Sequence, residues 1–344
     1  MEFEVCADRM KWDKFYLSIS PLNKDIYFSS KYCTLHELNG EGECRVALFK
    51  GSSGTVVLYP FILKEITGYG TPGKYFDIET CYGYGGPVVE NYNEDDINEF
   101  EDLFCTWCRE NGIVAEFVRF HPLLDNFGYF RKNISKIKNR TTVFVDLKAG
   151  PDEIWKNYIS SKNRNMIRKA EKSGVTVKVS NNFNGFLSLY EETMNKVNAG
   201  DYYYFSGKYY KNLFNLNNKS LFLLEAEIDG NTAAAALFLY SGRYLSYHLS
   251  GSRQEYLSCA PNNLLLYKAI ELGCLMGLEK FHLGGGLSDS PDDSLFRFKN
   301  SFSPYLAEFY IGKRIHNAET YHFLMDEWKR RNQKEPELFL QYHY

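Results

Sequence analysis

Between residues 221 and 250 three apolar runs, LFLLEAEI, TAAAALFLY and YLSYHLS, follow one another with only Asp229-Gly230 and Ser241-Gly242 as turns. Two-residue turns containing glycine join antiparallel neighbours. The stretch therefore reads as a three-strand meander, and any fold for this chain must build a sheet around it. The flanks extend the pattern. Residues 141–147 (TTVFVDL) read as a strand, and Pro151 opens a helix at the early position proline favours. Residues 154–173 read as a basic helix closed by Gly174, 175–180 as a strand and 186–197 as a helix. After the meander come a helix over 262–273, strands over 278–283 and 307–311, and a terminal helix over 318–331.

The first half is a looser version of the same plan. Residues 45–50 and 55–63 read as strands around the turn Gly51–Gly54. A segment dense in glycine and tyrosine, 68–87, reads as a binding loop. A helix over 94–111 ends at Asn111-Gly112, and 113–120 reads as a strand. The expected fold class is α/β (α+β), with two tandem units of mixed sheet flanked by helices. A length of 344 residues suits two such cores.

Composition narrows the function classes. A formal net charge of −3 gives no global field toward nucleic acid, so an RNA or phosphate contact must rest on a local basic patch. The N-terminus MEFEVCADRMKWDKF has no apolar signal core, and no apolar run reaches the length of about 18 residues that spans a bilayer. The expected location is the cytoplasm, with the eight cysteines as reduced thiols. Cys105-x-x-Cys108 has no second pair and sits inside a helical pattern, which favours packing over zinc or redox chemistry. The histidines show no metal-binding spacing, so no metal is expected.

Residues 283–302, LGGGLSDSPDDSLFRFKNSF, concentrate the chemistry. Gly284, Gly285 and Gly286 follow a strand, but G-x-G-x-x-G spacing and Gly-Lys-Ser/Thr are both missing, which argues against dinucleotide and P-loop sites. Two readings remain: a plain glycine turn, or a loop whose N–H groups face a substrate or oxyanion. Lys299 sits among Phe296, Phe298 and Phe302. It is either a snorkelling lysine or a desolvated ammonium that stabilises developing negative charge. Arg164, Arg168 and Lys172 recur at i, i+4 and i+8, giving one cationic face. Such a face is either merely solvated or a binding site for RNA or donor phosphates.

With these residues in view, the chain resembles the Fem family of peptidyltransferases. The stretch W-x-x-Y-x-S-S-K-N-R-x-x-I-R-K-A-E-K-S-G-V (Trp155 to Val175) is similar to the family's basic helix. Ala260-Pro261 and the helix after it, EKFHLGGG, and Leu295-Phe296-Arg297-Phe298-Lys299 with Phe302 follow in the family's order. The resemblance is good over roughly 150–315 and weaker before it. It implies two GNAT-like domains with a channel between them and no coiled-coil arm. Residues 1–146, completed by 314–344, would form the acceptor-side domain, and 147–313 the donor and catalytic domain.

The implied reaction passes an aminoacyl or acyl group to an amine of a cell-envelope precursor, in peptidoglycan or a surface polysaccharide. The donor would be aminoacyl-tRNA or acyl-CoA, with no bound cofactor. Expected partners are a small-molecule or lipid-linked precursor and tRNA, with peripheral membrane contact and no DNA. Phe298 and Lys299 fall at the family's Phe-Lys pair, where the lysine stabilises charge at the acyl centre. The proton would leave through water or through Asp292 or Asp293; Asp293 joins Lys299 and Phe298 as the catalytic set. Gly284, Gly285, Gly286, Arg164, Arg168, Lys208 and Arg297 form the substrate-binding set. Two departures matter. Phe205 stands where some members carry a phosphate-binding arginine, leaving Lys208 as a substitute point charge. The turn S-C-A-P-N-N lacks the glycines of a usual CoA site, and Pro261 removes one N–H donor from it. The rivals are an acyl-CoA-dependent N-acyltransferase acting on an amino sugar and a non-catalytic envelope-assembly protein.

Overall fold

The computed structural model describes residues 1–197, 200 and 204–344. Asp201, Tyr202 and Tyr203 of the aromatic stretch lie outside the described residues. The elements in chain order are β1 (Glu2–Cys6), α1 (Arg9–Ser18), α2 (Ser30–Asn39), β2 (Glu43–Lys50), β3 (Val56–Glu65), β4 (Phe76–Glu79) and β5 (Val88–Glu90). Then follow α3 (Glu94–Glu110), β6 (Ile113–Arg119), β7 (Ile134–Asp146), the short α4 (Pro151–Glu153), α5 (Ser161–Lys172), β8 (Thr176–Ser180), α6 (Phe183–Lys196) and α7 (Gly207–Phe214). The chain closes with β9 (Leu221–Ile228), β10 (Asn231–Ser241), β11 (Tyr244–Ser252), α8 (Pro261–Leu275), β12 (Lys280–Gly285), α9 (Ser294–Asn300), β13 (Leu306–Ile315) and α10 (Ala318–Asn332). The fold is α/β, with mixed sheet flanked by helices.

The chain divides into two compact units, one of residues 1–23, 27–139 and 308–344, the other of 24–26 and 140–307. In the first, the strand order is β1-β2-β3-β4-β6-β13, with β5 on β3. Its helix α3 shows why this sequence is helical: Asn93 caps it, Glu94, Asp95 and Asp96 face the positive helix end, and Arg109 faces the negative one. Ile97, Phe100, Phe104 and Cys108 recur at helical spacing and enter the core beside Tyr59, Phe61 and Phe130. Cys108 is fully buried, as packing requires.

The glycine-rich segment 68–87 is more ordered than the sequence suggests. β4 inside it pairs antiparallel with β3 and parallel with β6. A Cβ at Gly83 would meet the Tyr27 ring at 2.5 Å, and one at Gly85 the Thr80 methyl at 2.7 Å. These glycines therefore allow close packing. The segment expected as a binding loop thus contains a paired strand and closely packed glycines at 83 and 85, while Gly68 and Gly70 face open space. α1 and α2 are invisible as patterns because α1 buries Trp12 alone and α2 buries polar and apolar residues together.

The second unit carries the order β7-β12-β11-β10-β9-β8. The expected meander is present: β9, β10 and β11 pair antiparallel in sequence. One sheet face holds a core built from Phe222, Phe238, Leu245, Phe281 and Leu283 with Leu264, Leu265 and Ile270 of α8. The expected single helix over 154–173 is interrupted. Ile154–Tyr158 form a π-helical turn, Ile159 is extended, and Ser160 caps α5 through the Asn163 N–H.

Candidate functional site

Asp293 creates the helix that carries the most informative residue. Its Oδ1 accepts the Phe296 N–H at 2.9 Å, and its Oδ2 accepts those of Leu287 and Ser288 at 3.0 and 3.2 Å. One carboxylate thus closes the loop after the glycines and caps α9. The Phe296 N–H above all, helped by those of Ser288 and Leu287, holds this carboxyl below its ordinary range. A carboxylate so engaged is a poor proton acceptor, so the catalytic role expected for Asp293 is corrected to helix capping.

One turn and a half further on, Lys299 points inward and is only 8% exposed. Its Nζ donates to the Gly285 carbonyl at 2.8 Å and lies 5.8 Å from the centroid of the Tyr247 ring. No carboxylate lies within ion-pair distance of it among the described residues. Burial, with repulsion from Arg140 added, lowers this amine to about 8; Asp293 opposes the shift weakly. Tyr247 is buried enough to raise its phenol.

The strands explain why an ammonium fits there. Parallel pairing of β11 with β12 has three rungs, Tyr244–Lys280, Leu245–Phe281 and Ser246–His282. Both strands run on beyond the last rung. At that point the β10–β11 ladder slips by one residue, leaving His248 as the bulged residue, and the β12–β7 ladder slips between His282 and Gly284. Lys299 touches one residue from each strand just past the end of their pairing, Tyr247 and Gly285. Gly284 has φ +77°, a conformation that favours glycine. A Cβ at Gly285 would lie 2.8 Å from the Thr141 carbonyl oxygen, and one at Gly286 would lie 2.4 Å from Asp293 Oδ1. The triplet is thus demanded by backbone shape and close packing. Its visible polar contacts run through carbonyls: Gly285 accepts from Lys299 and Gly286 accepts from Arg140 Nη1 at 2.6 Å.

A third support comes from Asn163, which is 2% exposed. Its Oδ1 accepts from Asn263 Nδ2 at 2.8 Å, and its Nδ2 donates to the Ser301 carbonyl at 3.3 Å. One buried amide therefore ties α5 and α8 to the end of the helix bearing Lys299. The sequence signal for Asn163 was present in S-S-K-N-R, though the cations around it drew the attention. Arg140 and Tyr247 had no local signal at all. Ala260, just before α8, sits at φ +57°, an unusual conformation for a residue with a Cβ.

The other expected site residues separate into groups. Phe298 packs edge-on against Phe302 at 5.4 Å and contributes to the floor beside Lys299. Arg164 donates to the carbonyls of Trp155, Lys156 and Ile159 at 3.0, 2.9 and 2.5 Å. Through Nη1 it satisfies the carbonyls of the broken helix end. Arg168 is exposed and stacks over Trp155 at 5.2 Å. Arg297 is exposed and meets Asp292 only at 3.7 Å, facing away from the buried side that Lys299 takes. Lys208 lies exposed on α7, while Phe205 stacks on Tyr209 at 4.2 Å.

Among the described residues no cluster of His, Cys, Asp and Glu is arranged to hold a metal ion. No helix of the described residues is long and apolar enough to cross a membrane.

Residues 160–299 match the model of the acetyltransferase (GNAT) domain. The crystal structure of FemX superposes with a TM-score of 0.72 at 17% identity, over 94% of this chain and 99% of that one. This is a Fem-like GNAT fold. The GNAT domain makes the chain an acyltransferase in class, and it contains Asn163, Tyr247, the glycine triplet and Lys299 together. The C-terminal domain of a putative lysylphosphatidylglycerol synthetase from Agrobacterium fabrum also superposes, with TM-score 0.56 at 15% identity over 94% of this chain and 97% of that one. So does L-PGS from Bacillus licheniformis, with TM-score 0.56 at 14% identity over 92% and 95%. No curated protein matches the chain in sequence.

Proposed function

We propose that this protein is an N-acyltransferase that moves an aminoacyl or acyl group onto an amine of a cell-envelope precursor. The observation that carries the reading is Lys299: a buried ammonium held by a carbonyl and an aromatic face, with no carboxylate among the described residues to neutralise it. A cation of that kind is costly in the resting protein and stabilises an anion that forms beside it. The acceptor amine attacks the donor carbonyl carbon, and the C–N bond forms as the carbonyl oxygen becomes an oxyanion. The C–O or C–S bond to the donor then breaks. The proton lost by the amine ends on the departing oxygen or sulfur. Lys299 faces the oxyanion, Tyr247 and Gly285 fix the ammonium, and Asn163 fixes α9.

The second unit supplies the donor side in this reading, and the first supplies the acceptor side. Likeness to FemX and to the lysylphosphatidylglycerol synthetase domain supports an envelope precursor, peptide-, sugar- or lipid-linked, as the acceptor. The test is transfer of labelled acyl group from aminoacyl-RNA or acyl-CoA to a panel of such amines. Lys299→Ala is expected to lose at least about a hundredfold in rate while the melting curve stays cooperative. Full activity of Lys299→Ala on a substrate that the wild type uses overturns the assignment.

A further inference from the structure

An attacking amine has to lose a proton, and the groups around Lys299 leave that task open. Asp293 is engaged by three N–H groups. The Asp292 side chain is 89% exposed and turns to Arg297. Lys299 is itself a cation, and burial raises the phenol of Tyr247. The step calls for a group that titrates near neutral pH and stands beside the reacting carbon.

His248 meets both conditions. It follows Tyr247 directly and is the bulged residue of β11, just past the last rung that joins β11 to β12. A bulge of this kind re-aims side chains. Tyr247 packs against the core beneath α5 and α8, and Lys299 approaches its ring. His248 turns instead to α7, where its Nε2 lies 3.2 Å from the Tyr209 phenol oxygen. Tyr209 is fully buried and anchors the ring, while the imidazole itself is half-buried. His282 of β12 is the other imidazole at this point, but it sits at the last rung and is only 4% exposed. Glu191 and Glu192 of α6 and Lys208 and Lys211 of α7 are exposed. Of the two histidines where the strands part, His248 is thus the one within reach of a substrate.

The two sides of β11 divide the chemistry. During attack on a carbonyl the oxygen becomes an anion on one side of the carbon, and the amine arrives from another. The cation and the base therefore have to stand apart. Consecutive residues of one strand achieve this, with Tyr247 turned to Lys299 and His248 turned to Tyr209.

We propose that His248, positioned by Tyr209, carries the proton in the transfer step. Nδ1 takes the proton of the attacking amine while Nε2–H donates to the Tyr209 oxygen. The imidazolium returns that proton to the departing oxygen or sulfur as the C–O or C–S bond breaks, which regenerates the imidazole. The inference rests on the acyl-transfer reading.

The experiment measures kcat and kcat/KM from pH 5 to pH 9, with the aminoacyl-RNA or acyl-CoA donor and the acceptor amine that the wild type uses. The proteins are the full chain, His248→Gln, Tyr209→Phe and His282→Gln. Ionisation of the acceptor itself appears equally in all four. The wild type is expected to show an acid limb in the imidazole range and an alkaline limb through about 8 from Lys299. His248→Gln is expected to lose at least about a hundredfold in kcat together with the acid limb, and to keep the alkaline one. Tyr209→Phe is expected to lose about tenfold and to move the acid limb to lower pH, because the imidazolium loses an acceptor. His282→Gln keeps both limbs. An acid limb that persists in His248→Gln overturns the proposal and leaves acyl transfer standing, whatever the rate. If His248→Gln does not fold, an unmoved limb in Tyr209→Phe overturns it equally. A wild type that transfers from no donor overturns the acyl-transfer reading and the role of His248 with it.

Discussion

Among the described residues two Lys or Arg side chains are buried, one in each unit, and they are treated oppositely. In the first unit Arg314 is 1% exposed and lies over the Phe130 ring at 4.7 Å. It pairs with Glu101, approaches Glu116 at 3.6 Å and donates to Cys105 Sγ at 3.3 Å. Burial pulls this guanidinium down, but Glu116, Cys105 and Glu101 more than offset it, and its pKa stands above the ordinary value. In the second unit Lys299 is also buried over an aromatic ring, yet it has a carbonyl where Arg314 has carboxylates, and its pKa falls to about 8. The difference teaches what each cation is for. A neutralised cation has no field left for a ligand and joins β13 to α3 and β6. An unneutralised one is a standing cost that an incoming negative charge relieves.

The comparison is broken most forcefully at Arg314. Arg314→Met leaves Glu101 and Glu116 buried without their cation and is expected to destabilise the protein by about 3–5 kcal/mol, measured by denaturant unfolding. Lys299→Met reverses the sign. The folded pKa of about 8 lies below the ordinary 10.5, so the unfolded chain binds the proton more readily. The folded state is penalised below about 8 and recovers as pH rises toward 10.5. Lys299→Met is therefore expected to raise stability at neutral pH by about 3 kcal/mol and to remove that pH dependence, while transfer is lost. For the wild type, the ammonium's share of catalysis falls as pH rises through about 8. Gly286→Ala forces a methyl against the Asp293 cap that begins α9 and is expected to cost about 1–3 kcal/mol by thermal melting. Arg297→Ala, one residue from Lys299 but exposed, is expected to change neither stability nor rate by more than about twofold.

How much of this was legible follows from where the information sits. The meander over 221–250 was readable because its strands are apolar, consecutive and divided by glycine turns. α1 and α2 were not, because burial there falls on single residues such as Trp12 or on mixed polar sets. Lys299 was legible from its phenylalanine neighbours and from the family likeness. Its environment was not, because Tyr247 and Arg140 reach it across strands and no spacing encodes them. Asp293, read as catalytic, and Arg164, read as substrate-binding, share one trait: charged side chains near a site look functional in sequence. Only coordinates reveal that backbone N–H and C=O groups have already claimed them. The glycine triplet misled in part, since it suggested donors facing a ligand where the visible contacts are carbonyls facing cations.

The central claim is that Lys299 is held as an ammonium without a counter-charge, and its titration tests that most directly. Lysine side chains labelled with 13C at Cε, with the Lys299 signal assigned by its loss in Lys299→Arg, are followed by NMR from pH 6 to pH 12. The account predicts a midpoint near 8, well below the other lysines. A midpoint at the ordinary 10.5 would mean that water or a carboxylate neutralises the group, and would contradict the account.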